Sequence, residues 1–121
     1  MPKRILLVED DLDVREFLEP YLADKDYEVA VAVNGREGWE KLLQFKPDLM
    51  ILDLMMPRLD GISLLKIMSD SPRIRKPRVL VLTAVQELKQ VEEAMAFGAD
   101  AYLLKPIDNS RLLKKIQDLI G

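Results

Sequence analysis

The chain contains no cysteine and no histidine. The first absence excludes disulfides, thiolate metal sites and cysteine nucleophiles. It makes the reducing cytosol the simplest home, so a cytoplasmic location is expected. The second removes Ser-His-Asp and Cys-His catalysis together with the commonest zinc ligand. Long apolar runs are missing too. Met1-Pro2-Lys3-Arg4 is followed by four apolar residues, too few for the core of a signal peptide. No stretch approaches the roughly 20 residues of a membrane span, so no membrane partner is expected. A strong charge bias is also absent. The 18 basic and 21 acidic residues are interspersed and leave a net charge of −3. That gives no electrostatic footprint for direct nucleic-acid binding.

What is present suits one globular domain. The 121 residues are 49% hydrophobic, enough to bury a core. Short apolar runs stand at Ile5–Val8, Val29–Val33, Leu49–Leu52, Val79–Leu82 and Ala101–Leu104. Their continuity suits strands buried on both faces of a parallel sheet. Helix-period segments lie between and after them. Val14, Phe17, Leu18, Tyr21 and Leu22 form the first stripe, and Trp39, Leu42 and Leu43 the second. Ile62, Leu65 and Ile67/Met68 follow, then Leu88, Val91 and Met95, then Leu112, Leu113, Ile116 and Leu119/Ile120. Asp108-Asn109-Ser110 can cap the last helix, and Gly98 suits a left-handed cap on the fourth. Pro20 predicts a bend or early end in the first. Ser71–Pro77 reads as a loop. The order βαβαβαβαβα implies an α/β fold, a single parallel sheet with helices on both faces.

Polar residues gather where the strands end. The first strand runs into Glu9-Asp10-Asp11, the third into Asp53, the fourth into Thr83 and the fifth into Lys105-Pro106. Open α/β sheets bind ligands outside the carboxyl ends of their strands. If the first and third strands are neighbours, Glu9, Asp10 and Asp53 converge. Three close carboxylates disfavour joint ionisation, and a divalent cation relieves them. An all-oxygen site suits Mg²⁺, with Mn²⁺ as a substitute. Thr83 adds a hydroxyl donor and Lys105 a positive charge. Such a set handles phosphoryl groups, and a carboxylate attacking in line would give an aspartyl phosphate.

With these pieces in register the chain resembles a response-regulator receiver domain of two-component signalling. The matching segments are Ile5–Asp11, Pro47–Gly61, Leu82–Ala84 and Gly98–Pro106, in order across the whole chain. The resemblance implies a flavodoxin-like, doubly wound sheet of five strands in the order 2-1-3-4-5, with five helices. It implies Asp53 as phosphoacceptor, Glu9, Asp10, Asp53 and the Met55 backbone carbonyl as metal ligands, and Thr83 and Lys105 as contacts for phosphoryl oxygens. Tyr102 takes the switch-aromatic position, acting with Thr83, and the Lys105–Pro106 bond is expected to be cis. The implied partners are a sensor histidine kinase or phosphotransfer protein, and an output domain or protein controlled through the surface of the fourth helix, fifth strand and fifth helix. A phosphorylation-dependent homodimer is a further expectation. Residues 1–121 read as one receiver domain, standing alone or cut from a longer regulator.

The bland readings sit beside these. Asp11 and Asp13 are expected only as helix caps, and Trp39 as half-buried packing. Glu87–Glu93 is either a solvated helix face or part of the output surface. Ile107 and Val14 lie on the edge where receivers meet a kinase, whereas for Phe17 ordinary helix packing is the expectation. Met55 and Val85, two residues after Asp53 and Thr83, are apolar where polar residues can position an attacking water. Slow self-dephosphorylation is expected. A phosphohydrolase would want an acid/base group at Met55, which has none. The chain therefore reads as a switch that assists its own phosphorylation, not as an enzyme in the turnover sense. The competing class is a constitutive interaction module that does not cycle phosphate.

Overall fold

A computed structural model describes residues 2–56 and 60–121. Pro57, Arg58 and Leu59, within the segment that carries the resemblance around Asp53, lie outside the described residues, as does Met1. The elements run β1 (Arg4–Val8), α1 (Leu12–Asp24), β2 (Glu28–Ala32), α2 (Gly35–Phe45), β3 (Leu49–Asp53), α3 (Gly61–Ser69), β4 (Arg78–Thr83), a 3-10 turn (Val85–Glu87), α4 (Leu88–Ala96), β5 (Ala101–Leu104) and α5 (Asn109–Ile120). The strands pair in parallel in the order β2-β1-β3-β4-β5, as expected.

Alternation along the central strands builds two cores. Ile5, Leu7, Ile51, Leu80 and Leu82 face α1 and α5, where Leu18, Leu22, Leu112 and Ile116 are buried. Leu6, Val8, Met50, Leu52, Val79 and Val81 face the other way, against Leu42, Leu64, Leu65, Val91 and Ala94 of α2, α3 and α4. Trp39 packs half-buried on this second core. β3 is buried along its whole length. Two-sided burial does not extend to the outer strands. β2 and β5 are sheet edges, so β2 is mostly half-buried and β5 buries only Leu103 fully.

Several local expectations change. α1 continues through Pro20 to Asp24; Pro20 is on the exposed side. Phe17 is 54% exposed, because Leu18 and Leu22 take the inward stripe one residue further round. In α4 the inward residues are Val91 and Ala94, and Leu88 and Met95 stay exposed. Gly98 has φ +108°, the left-handed cap expected. Asp11 accepts from the N–H groups of Asp13 and Val14, and Asp108 from Arg111, as caps. The Lys105–Pro106 peptide bond is cis. No helix among the described residues is long and apolar enough to cross a membrane.

Candidate functional site

The strand order places the carboxyl ends of β1 and β3 side by side, with Val8 opposite Leu52. One residue further on each strand come Glu9 and Asp53. Glu9 is fully buried and Asp53 is 3% exposed. Each of Glu9, Asp10 and Asp53 offers a carboxylate oxygen lying within 4.8 Å of the others. Only Asp10 of the three is open to solvent.

Lys105, just past β5, reaches across to this cluster. Its Nζ lies 3.1 Å from Glu9 Oε1 and 3.5 Å from Asp53 Oδ1. Glu9 is anchored by its backbone, donating its N–H to Ala32 at 3.0 Å and accepting from Arg15 Nη1 at 2.9 Å. Among the described residues its Oε1 has no aligned hydrogen bond, only the nearby ammonium. Met55 follows the site, 52% exposed, and its N–H donates to Asp53 Oδ1 at 3.4 Å.

Thr83 closes β4 and is fully buried. Its carbonyl accepts the Lys105 N–H at 2.8 Å, which ties the two candidate residues through the backbone. The hydroxyl, however, donates to the Ala84 carbonyl at 3.2 Å. No hydrogen bond joins Thr83 to Asp53 among the described residues. Tyr102 stands apart from the carboxylates. It is 43% exposed and lines a cleft of about 490 Å³ with Leu104, Pro106, Arg111 and Lys115.

The electrostatics follow from the crowding. Burial, then the neighbouring Glu9 carboxylate, push the Asp53 carboxyl up to about 8, against a smaller opposing pull from Lys105. Burial alone would lower Lys105, but the Asp53 and Glu9 carboxylates together outweigh it and hold its pKa above the ordinary value. A divalent cation fits this set. The donors are hard oxygens, one of them is buried without a hydrogen bond among the described residues, and the carboxylate crowding is the kind a cation relieves.

Three features near the site were not read from sequence. Arg15 holds the Glu9 backbone. Gly61, at the start of α3, lies so close to β3 that a Cβ there would stand 2.7 Å from the Asp53 carbonyl oxygen. Glu87 bonds the Ala84 N–H beside Thr83. Each is a long-range or non-periodic contact. Only the Asp60-Gly61 pair carried a local signal, that of a helix start.

The sequence matches the family model described as the response regulator receiver domain over residues 5–117. It is 38% identical to the response regulator MprA of Mycolicibacterium vanbaalenii over 99% of this chain and 51% of that one. It is 33% identical to the DNA-binding dual master transcriptional regulator RpaA of Synechocystis over 97% of this chain and 48% of that one. The chain thus spans about half the length of these relatives. Among solved structures, it resembles the signal receiver domain of a response regulator from Bermanella marisrubri, with a TM-score of 0.91 and 37% identity over 100% of both chains. It also resembles the chemotaxis protein CheY4 of Vibrio cholerae, with a TM-score of 0.91 and 29% identity over 99% of this chain and 100% of that one.

Proposed function

The chain belongs to the response regulator receiver domain family of two-component signalling, and on that premise we propose that Asp53 accepts a phosphoryl group and so switches the domain's outer surface. The observation that carries the reading is the placement of Lys105. One ammonium lies within 3.5 Å of both Glu9 and Asp53, at the buried end of the strand that presents Asp53. A lone strand-end acid would not need that arrangement.

The chemistry proceeds from these residues. An Asp53 carboxylate oxygen attacks the phosphorus of a phosphohistidine on a sensor kinase or phosphotransfer protein. The P–N bond breaks as the new P–O bond forms, and the electron pair leaves with the imidazole. Glu9, Asp10, Asp53 and the Met55 carbonyl would hold Mg²⁺, or Mn²⁺ in its place, which would supply positive charge to offset that of the phosphoryl oxygens. Lys105 supplies a second positive charge from the end of β5. Thr83 supplies a hydroxyl once it leaves the Ala84 carbonyl, and Tyr102 follows as the switch aromatic.

Moving such a switch from about 1:99 to 99:1 needs roughly 5.5 kcal/mol of differential stabilisation. New charge-assisted contacts to Thr83, Lys105 and the cation, at about 1.5–3 kcal/mol each, are of the right size. The responding surface is α4, β5 and α5, where Leu88, Tyr102 and Leu104 are exposed. It would meet an output domain or protein, or a second copy of the chain. Residues 1–121 act as one receiver unit in this reading. The output itself varies among the relatives, one of which is named a DNA-binding regulator.

The test is intact-mass measurement with acetyl phosphate as donor. A gain of one phosphate that requires Mg²⁺ and vanishes in Asp53→Asn is expected. No gain in the wild-type protein would favour a constitutive interaction module instead.

A further inference from the structure

We propose that Glu87 is a positioning residue, a latch that keeps the Thr83 hydroxyl turned away from Asp53 and so sets how readily the domain switches. The inference rests on the phosphoacceptor reading above.

It starts from a difference among the helices. Asp11, Asn34, Asp60 and Asp108 each cap the start of α1, α2, α3 and α5 with a side-chain hydrogen bond. α4 has no such cap, although the residue before it is Glu87. A carboxylate there could favour the helix dipole or bond the first N–H groups of α4. It turns backward instead. Glu87 Oε1 accepts the Ala84 N–H at 2.9 Å, and the Glu87 N–H donates to the Ala84 carbonyl at 2.9 Å. This is the backward half of a capping box, closed around the 3-10 turn rather than around α4.

Ala84 is therefore held at both its polar groups by one residue. Its carbonyl is also the acceptor for the Thr83 hydroxyl. Thr83 is fully buried, so that hydroxyl must keep a partner. The Thr83 backbone cannot shift freely, because its carbonyl is bonded to the Lys105 N–H. What can change is the side-chain direction and the turn from Ala84 to Glu87. While Glu87 fixes Ala84, the resting acceptor stays within reach of Thr83. A phosphoryl group on Asp53 offers a competing acceptor, and the hydroxyl can take it once the turn gives way. Because the turn runs directly into α4, release at Ala84 also frees the uncapped start of that helix.

Two simpler accounts are separable by experiment. Glu87 could act only as a local cap, contributing stability. It could act only as a negative charge near an anionic donor. The measurements are the rate of Mg²⁺-dependent phosphate gain from acetyl phosphate and amide hydrogen exchange over residues 84–91. For Glu87→Ala, phosphate gain is expected to be roughly five- to tenfold faster, the effect of releasing about one hydrogen bond. Its exchange over 84–91 before phosphorylation should approach that of the phosphorylated wild type. Glu87→Gln keeps an acceptor oxygen but loses the charge, and should stay within about twofold of wild type in rate. In a Thr83→Ala background, Glu87→Ala should bring no acceleration, because the latch works through the hydroxyl.

A Glu87→Ala protein that is only less stable, with wild-type rate and exchange, overturns the latch in favour of a cap. Glu87→Gln matching Glu87→Ala overturns it in favour of charge. A wild-type protein that takes no phosphate overturns the phosphoacceptor reading, and the latch with it, which is a different outcome from either of these.

Discussion

The Lys105 ammonium stands 3.1 Å from Oε1 of Glu9, a carboxylate with no exposure to solvent. Without that cation, the Glu9 carboxylate would lie buried and uncompensated beside Asp53. Removing one partner of a buried ion pair costs far more than the pair's net worth, because the other charge stays behind. Lys105→Met is therefore expected to lower unfolding stability in metal-free buffer at neutral pH by about 2–3 kcal/mol, somewhat less than a fully buried pair because Lys105 keeps partial access to solvent. Urea midpoints with and without Mg²⁺ are the measurement. Most of the loss should return with the ion; an unchanged metal-free midpoint would contradict the pairing.

Asp53 predicts an unusual pH dependence. Its carboxyl is raised from 3.8 to about 8, first by burial and then by Glu9. The folded state therefore holds a proton that the unfolded chain gives up above about pH 4. Stability from this group is fully present below that pH and is lost as pH rises through about 8. In EDTA the thermal midpoint should decline between pH 5 and 8, roughly, and Asp53→Asn should flatten the decline and leave the pH 8 protein about 2 kcal/mol or more stabler than wild type. Mg²⁺ should oppose the decline and release protons on binding near pH 7, roughly, since the cation and the proton compete for one oxygen cluster. A flat midpoint in EDTA would count against the crowding.

Much of this was legible in the sequence for a plain reason. β1, β3 and β4 are buried on both faces, so their apolar runs are continuous, and the polar residue that ends each run marks the carboxyl edge. Glu9, Asp53 and Thr83 could be placed that way, and the structure brings Glu9, Asp10, Asp53 and Lys105 together. Edge status was legible only through the family resemblance, whose strand order puts the second and fifth strands at the margins, and not through composition. Val29–Val33 looks like a core strand in composition, yet β2 lies at the sheet margin and leaves Val29, Ala30 and Val31 only half-buried. In α4, Ala94 carries the inward face where the larger Met95 was expected, because a small residue contributes little to a hydrophobic stripe. The direction of the Thr83 hydroxyl and the Glu87–Ala84 bond had no signal at all. They depend on single rotamers between near neighbours, and no periodicity records those.

Asp48 offers a control at the opposite end of the strands. Its carboxylate accepts the Arg4 N–H and Arg75 Nη2, each at 2.8 Å, and joins the starts of β1, β3 and the loop before β4. The Arg4 N–H is the main reason its pKa lies below the ordinary carboxylate value; burial opposes this, and Arg75 adds to the lowering. A lowered acid contributes stability above its unfolded pKa and loses it as pH falls through the folded value. Asp48→Ala should therefore cost about 1–2 kcal/mol at neutral pH, and less as the solution is acidified below about pH 4. Phosphate gain from acetyl phosphate should be unaffected. A slower rate in a protein that is still folded would show coupling between the two ends of the sheet.

Gly61 ties the start of α3 to the end of β3. A Cβ at this position would lie 2.7 Å from the Asp53 carbonyl oxygen and 2.8 Å from Leu54 Cα, both backbone atoms that cannot swing aside. Gly61→Ala must push α3 and the Asp53 strand end apart, at a cost of about 1–3 kcal/mol or more. Phosphate gain should fall along with stability, since the displaced atom belongs to Asp53 itself. Gly98→Ala is the comparison. It has open space but φ +108°, so it should lose stability with no change in rate. Equal rates in the two variants, both folded, would mean that the contact at Gly61 does not position Asp53.

The lifetime of the phosphate turns on Met55 and Val85. They are 52% and 62% exposed, and neither carries a group that can orient a water for attack on phosphorus. General-base or hydrogen-bonded positioning of a nucleophile contributes about 100-fold or more when complete, and a single added carboxylate at an exposed position should supply a fraction of that. Val85→Glu is therefore expected to speed phosphate loss by roughly three- to tenfold, and Met55→Asn by a smaller factor. The decay of the phosphorylated mass after donor removal, with Mg²⁺ held constant, gives both rates directly. Should Val85→Glu decay at the wild-type rate while Met55→Asn accelerates, water reaches the phosphate only from the β3 side, and the apolar character of Val85 has no bearing on the lifetime.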